Sequence, residues 1–184
     1  MLRLWHNQRA GPFSAWEKVD LALVISTEPY LLIDSADRSP FNVTVPIELG
    51  PFPRQSLDEL DARYGRTLSA VQLDRLHQLL GGHPYLTRLA YFRLLVDPRM
   101  PFDELDEKAD DISGPFGEHL RAKLFWLGRK EELRGVFKQV INNQTVPNED
   151  TYLRFRGAGL AVREGGKTLP SNLLYARFFK KVLT

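Results

Sequence analysis

The chain has 184 residues, of which 43% are hydrophobic and 26% are charged, and its formal net charge is +2. This composition predicts a packed core in one ordinary domain or two small ones, and it excludes general disorder. Because the chain contains no Cys, a disulfide framework, a thiolate zinc site and a cysteine nucleophile are excluded. The sequence shows neither a signal-peptide pattern nor an apolar run of membrane-spanning length. We therefore expect a cytoplasmic protein with no membrane partner.

The first fifty residues have the pattern of one side of a sheet. Residues 19–26 (VDLALVIS) are apolar nearly throughout, which predicts a strand buried on both faces of a parallel sheet. Residues 43–49 (VTVPIEL) are a second strand candidate, although Pro46 favours a sheet edge or a bulge. Because two strands alone do not make a domain sheet, we expect residues 1–52 to be the least stable third of the chain. An unpaired apolar strand edge also predicts self-association.

From Pro53 onwards the chain is predicted to form closely spaced helices. Ser56 and Glu59 have the spacing of a capping box, which predicts a helix to about Tyr64. Ser69 predicts the N-cap of a second helix. The helices predicted after that one span residues 84–96, 102–112, 115–127 and 131–141.

The stretch GGHPYL joins two of these predicted helices. Gly81 and Gly82 suit a helix C-terminus with left-handed backbone, and Pro84 suits the first position of the next helix. Glycines also let a backbone approach a flat ligand, and the free N–H groups at a helix start favour anions. The pattern therefore leaves two interpretations open, a tight turn between helices and a ligand-binding turn.

The tail is predicted to contain a short helix capped by Asp150, a β-hairpin and an amphipathic helix over residues 172–183. Residues 160–170 (LAVREGGKTLP) alternate around a Gly-Gly turn, which is typical of a hairpin. Helices followed by a hairpin have the outline of a winged helix. The same residues come within one position of a phosphate-binding P-loop, but Ala161 stands where that motif needs Gly, so we favour the hairpin.

Charge is distributed unevenly along the chain. Seven basic residues lie within residues 151–184 against Glu164 alone, and six acidic residues lie within residues 103–111 against Lys108 alone. Such asymmetry predicts either opposite-charge docking or a surface that faces nucleic acid. The second interpretation makes the chain a DNA-binding winged-helix regulator. Its predicted phosphate contacts are Arg154, Arg156, Arg163 and Lys167.

Three stretches, STEPYLLI, SPFNV and GGHPYL, together resemble the AAA-like domain of STAND-class P-loop ATPases, signalling relatives within the AAA+ superfamily. Residues 1–52 resemble the closing part of the ATPase core, residues 53–112 its helical lid, and residues 113–184 the winged helix that follows. The resemblance implies an α+β fold that is mainly α with short β. Its parts would be the remnant of a P-loop ATPase parallel sheet, a helical lid bundle and a winged helix.

The resemblance also implies a nucleotide switch used in signal transduction. The nucleotide-binding residues that it implies are Ser26, Thr27, Gly81, Gly82, His83 and Pro84. The first two would end the sensor strand and face the γ-phosphate or the attacking water. The other four would form the lid element beside adenine, where the imidazole would stack on the base or hydrogen-bond to it. The alternative for the imidazole is simple exposure to solvent.

The sequence departs from that family in one large respect, because it contains no P-loop and no Asp-Glu strand. Those elements cradle the β- and γ-phosphates and hold Mg²⁺, and hydrolysis depends on them. We therefore expect a module that is not an enzyme by itself, either a truncated reading frame or a fragment that works with a P-loop-containing partner or fused domains. ATP or ADP with Mg²⁺ would bind only in that complex. No catalytic residue and no metal ligand is predicted in this chain.

Overall fold

A computed structural model describes residues 15–19, 22–25, 47–97, 100–143 and 148–183. The chain divides into two compact units, Met1–Leu49 and Gly50–Thr184. In the first unit a 3-10 helix spans Ala15–Lys18. None of the helices in the described ranges is long and apolar enough to cross a membrane.

The two strands predicted in the first unit are wrong for the residues that the structure describes. Residues 22–25 and 47–49 belong to no helix or strand. Val24 is 91% exposed, and Ile47 and Leu49 are each 87% exposed. A strand is stabilised by burial of its apolar face, and the apolar side chains of these residues are exposed. The rest of both predicted strands lies outside the described residues.

The second unit is mainly helical and carries one small antiparallel sheet, which confirms the predicted α+β class. Within the described residues it contains eight α-helices and two strands. In chain order they are α1 Arg54–Arg63, α2 Ala70–Leu80, α3 Pro84–Val96, α4 Phe102–Glu107, α5 Gly117–Gly128, α6 Glu131–Ile141, α7 Glu149–Gly157, β1 Ala161–Glu164, β2 Lys167–Pro170 and α8 Leu173–Leu183.

The predicted hairpin is confirmed. Strands β1 and β2 pair antiparallel, from Ala161 opposite Pro170 to Glu164 opposite Lys167. Gly165 and Gly166 make the turn with φ of 54° and 76°. A P-loop needs its Lys and Thr at the start of a helix, whereas Lys167 and Thr168 lie on a strand here. The near-match to a P-loop is therefore a hairpin turn.

Ser69 caps α2 as predicted. Its hydroxyl accepts from the N–H of Gln72 at 3.3 Å, and the Gln72 side chain accepts from the N–H of Ser69 at 2.9 Å. This reciprocal pair is a full capping box, which satisfies two N–H groups that the helix leaves free.

The caps predicted at Ser56 and Asp150 are wrong. Helix α1 begins at Arg54 after Pro53, whose extended backbone starts the helix without a side-chain cap. Helix α7 is capped by Asn148, whose side chain accepts from the N–H of Thr151 at 2.8 Å. In both cases the helix starts upstream of the predicted cap, after Pro53 and after Asn148. Ser56 and Asp150 therefore lie within the first turn of their helices.

Helix α4 ends at Glu107, five residues before the predicted end at Ile112. Asp103 and Glu104 lie in the first turn, where negative charge favours a helix. Asp106 and Glu107 already lie in the last turn, where the partial negative charge of the C-terminus opposes them, and Asp110 and Asp111 lie beyond the helix. Extending the helix to Ile112 would add two more acids to an unfavourable end.

One apolar core runs through the second unit, from Leu57 in α1 to Leu183 in α8. Aromatic rings from the helices of its C-terminal half pack at its centre, with ring centroids 5.1 Å apart for Phe137 with Phe155 and for Phe137 with Phe179. Residues on both sides of the boundary predicted between 112 and 113 contribute to this core.

Asp61 is a buried carboxylate that closes the loop between α1 and α2. Its Oδ1 accepts from Thr67 N and Oγ1 and from Leu68 N, at 3.0–3.1 Å, and from the Tyr91 hydroxyl at 3.2 Å. Burial, and then the negative charge of Asp61, raises the pKa of Tyr91, so that its hydroxyl stays protonated and donates. One oxygen atom thus fixes the loop and joins it to α3.

We predict that Asp61→Ala lowers the free energy of unfolding by about 1–3 kcal/mol, because it leaves the buried Tyr91 hydroxyl without an acceptor and removes the bonds that hold Thr67 and Leu68. The matched control is Asp58→Ala on the same helix, where the side chain is 56% exposed. We expect the control to cost under about 0.5 kcal/mol. Urea denaturation followed by circular dichroism measures both, and equal losses would contradict the account of Asp61.

Candidate functional site

The four residues Gly81–Pro84 form the turn between α2 and α3. Gly81 caps α2 in the left-handed conformation, with φ 59°, and its N–H donates to the His77 carbonyl at 2.8 Å. Gly82 is also left-handed, with φ 69°. Pro84 occupies the first turn of α3, and no side chain caps that helix start. The predicted turn chemistry is therefore confirmed.

The backbone of Phe52 lies against Gly82. The N–H of Phe52 donates to the Gly82 carbonyl at 2.8 Å. A Cβ on Gly82 would overlap the carbonyl oxygen of Phe52. Gly82 is therefore required both by its backbone conformation and by the space that Phe52 occupies.

Gly81 makes a second close approach, to the connection between β2 and α8. A Cβ on Gly81 would lie 2.9 Å from the carbonyl oxygen of Ser171 and 3.2 Å from the Cβ of Asn172. Two segments far apart in sequence thus meet at this turn. The approach that the sequence assigned to a flat ligand is made here by the chain itself, and nucleotide contact at Gly81 and Gly82 stays a prediction.

His83 is half-buried, so the interpretation as a solvent-exposed imidazole is wrong. Its ring meets that of His119 edge to face at 5.8 Å and that of Tyr85 at 6.5 Å. Its Nδ1 is buried and has no hydrogen-bond partner among the described residues. Burial, and then the charge of Lys123, lowers the pKa of His83.

His119 and Lys123 on α5 extend this cluster towards α8. His119 Nε2 lies 2.6 Å from the Tyr175 hydroxyl, and the two rings stack at 5.9 Å. The Lys123 ammonium donates to the Ala158 carbonyl at 2.6 Å, and burial lowers its pKa. Burial, and then the charges of Lys123 and His83, lowers the pKa of His119 to about 4. Both shifts favour the neutral imidazole.

Sequence reasoning missed His119 and Lys123 as part of this site. The histidines of the sequence have no metal-ligand spacing, so that no motif draws attention to His119. The available signal was their i, i+4 spacing in a predicted helix, which places them on one face. Their partners, His83 and Tyr175, are distant in sequence, so only the fold brings the cluster together.

The outer face of α3 continues from the turn as a shallow groove of about 330 Å³. It is lined by Tyr85, Arg88, Leu89 and Phe92. Tyr85 and Phe92 are each 55% exposed. Exposed aromatic faces beside a guanidinium suit a flat, negatively charged ligand, through stacking and charge.

Ser26 and Thr27, the predicted sensor residues, lie outside the described residues. The structure therefore places four of the six predicted nucleotide-binding residues, and those four lie together in the turn Gly81–Pro84.

The predicted DNA contacts lie on α7 and on the hairpin, where Arg154 and Arg163 are ion-paired. Arg154 contacts Asp150 at 2.7 Å, and Arg163 contacts Glu149 at 2.8 Å while lying over the Tyr152 ring. Arg156 lies on α7 and Lys167 on β2. The pairing reduces the positive charge that this end of the chain offers to phosphate.

The acidic segment and the basic tail meet inside the second unit, as the opposite-charge interpretation predicts. Asp106 pairs with Arg177 of α8 at 3.3 Å and with Arg75 of α2 at 2.6 Å. Asp110, which is buried, pairs with Lys181 of α8 at 2.6 Å. Much of the charge asymmetry in the sequence is therefore used within the fold.

We predict that the protein loses stability as the pH falls below about 6.5. In this range the imidazoles of the unfolded chain become protonated, whereas those of the folded cluster stay neutral because their pKa is lowered. The loss continues towards the pKa of His119, about 4. Because the folded pKa is depressed, the native state binds fewer protons than the unfolded state, and stability rises with pH across this window.

The variant His119→Gln isolates this effect, because carboxylates titrate in the same way in both proteins. Urea denaturation at several pH values should show a flatter profile for the variant between about pH 4 and 6.5. Parallel profiles for variant and wild type would contradict the assignment of a buried neutral imidazole.

Comparison with known proteins gives one family. A family model described as AAA-like domain matches residues 1–181. Searches of curated proteins and of solved structures gave no significant match. The family match covers nearly the whole chain and includes the turn and the cluster described above. The chain therefore belongs to the AAA-like domain family.

Proposed function

We propose that the chain is the non-catalytic lid and winged-helix module of an AAA-like ATPase of the STAND class, acting as a nucleotide-dependent switch together with a P-loop half. The observation that carries this proposal is the turn Gly81–Pro84 at the start of α3, in a chain of the AAA-like family. The turn combines two left-handed glycines, a histidine and a helix start without a side-chain cap.

The start of α3 supports binding of a nucleotide at this turn. Pro84 has no N–H, and the N–H groups of Tyr85 and Leu86 have no partner within the helix. Such groups, with the helix dipole, favour negative charge. The groove beside them adds the exposed rings of Tyr85 and Phe92 and the charge of Arg88. A base and a phosphate would both find suitable partners along this edge.

The C-terminal half supports the winged-helix part of the proposal. Helices α6 and α7 precede the hairpin, and α8 follows it. Ser171, directly after β2, touches Gly81, and its hydroxyl donates to the Gly159 carbonyl at 2.6 Å. The turn and the end of the hairpin therefore lie close together, which would let a switch relay nucleotide state from one to the other.

Hydrolysis is assigned to the partner half because the groups that it needs are not in this sequence. Ala161 replaces the first glycine of the one near-match to a P-loop, and the Lys and Thr of that stretch lie on β2. The P-loop half would supply the phosphate cradle and the Mg²⁺ site. This chain would supply contacts to the base and the element that moves.

We predict that the purified chain releases no phosphate from MgATP above the background of a malachite-green assay. We also expect calorimetry to show ADP binding with a Kd of about 1 mM or weaker, because contacts at this edge carry little free energy without the phosphate cradle of the P-loop half. Phosphate release that Gly82→Ala abolishes, or micromolar ADP binding, would contradict the proposal.

The alternative function is that of a DNA-binding regulator. A gel-shift assay with duplex DNA over a series of salt concentrations distinguishes it from the lid module. We predict no shift of duplex DNA even at low salt, because Arg154 and Arg163 are held by acids of α7. DNA binding through phosphates weakens steeply with salt. A shift that behaves in this way and is lost in the double variant Arg163→Ala and Lys167→Ala would favour the regulator over the lid module.

A further inference from the structure

Phe52 is held on both of its backbone polar groups by α2 and the turn that follows it. Its N–H donates to the Gly82 carbonyl at 2.8 Å. Its carbonyl lies 3.1 Å from Nε2 of His77. Because a carbonyl oxygen only accepts, Nε2 of His77 carries the proton and donates. Both bonds lie in a half-buried setting, where an unmade bond is costly.

The contact is also fixed sterically. The Gly82 Cα faces the Phe52 carbonyl so closely that any Cβ would overlap it. The Phe52 side chain is partly buried and packs against the apolar core. A backbone-to-backbone contact of this kind can be made only by glycine, so the position of Phe52 depends on the conformation of the turn.

The chain changes character just before Phe52. Ile47 and Leu49 are almost fully exposed, and a Cβ on Gly50 would meet no atom within 4 Å. Pro51 and Pro53 flank Phe52, and their rings fix φ on either side. The sequence Pro-Phe-Pro therefore has restricted backbone freedom, and we expect release of Phe52 to loosen Gly50 as well.

We propose that the turn Gly81–Pro84, with His77, is a clamp on the segment Gly50–Pro53, and that a change at the turn opens this clamp and releases the segment. The clamp is a conformational device of this chain. It goes beyond the proposed nucleotide site. Because its test uses no nucleotide, either proposal can be contradicted while the other stands.

The test compares two glycine variants of the full chain. Gly82→Ala places a methyl group on the Phe52 carbonyl and also strains a backbone with φ 69°. The matched control is Gly166→Ala in the hairpin turn, where φ is 76° and a Cβ would meet nothing within 4 Å. The two variants share the backbone strain, and only the first disturbs Phe52.

Two readouts report the clamp. Hydrogen exchange of the Phe52 amide should become about tenfold faster or more in Gly82→Ala and stay at the wild-type rate in Gly166→Ala. Because the chain has no Cys, Gly50→Cys gives a single thiol for a nitroxide spin label. The label should gain mobility when Gly82→Ala is added and should not when Gly166→Ala is added.

A milder pair of variants covers the case in which Gly82→Ala fails to fold. His77→Ala removes one of the two bonds to Phe52, and His77→Gln keeps a donor at the same place. We expect faster Phe52 exchange in the first and partial rescue in the second. Unchanged exchange and label mobility in His77→Ala and in any folded Gly82→Ala protein would overturn the clamp. Equal effects of Gly82→Ala and Gly166→Ala would do the same.

Discussion

The second unit depends on two consecutive glycines that are both left-handed. Gly81 ends α2, and Gly82 turns the chain into α3, which Pro84 begins. Because neither glycine carries a Cβ, Phe52 approaches from one side and Ser171 from the other. The first and last parts of the unit are thus brought to the same turn. A side chain at either glycine would separate them, whatever its chemistry.

Around this turn, rings and charged side chains from elements distant in sequence contact one another. His83, His119 and Tyr175 form a seam of neutral rings between α3, α5 and α8. Asp106 joins α2 and α8 through Arg75 and Arg177. Both features tie the start of α3 to the last helix. A ligand at the open edge of the turn would therefore act on a connected structure, which is what the proposed switch requires.

The sequence predicted the elements whose signals are local. Helical spacing, the Ser69 cap and the Gly165–Gly166 turn each fix a structure within a few residues. The sequence could not predict contacts made across long separations, such as Phe52 with Gly82 or His119 with Tyr175, since these arise only from packing. The strand prediction for residues 22–25 failed for a related reason. A β-branched, apolar composition permits a strand, but a neighbouring strand has to complete it.

We propose the turn Gly81–Pro84 as the edge of this AAA-like module that meets a nucleotide. The most direct measurement is an NMR titration of the ¹⁵N-labelled full chain with ADP, with inorganic phosphate as the control. The account predicts weak binding, with the largest amide shifts at Gly82, His83 and Tyr85 and along the groove to Phe92. Phosphate alone should shift only the start of α3. Shifts centred on the hairpin or on α7, or no shift at the turn at saturating ADP, would contradict the account.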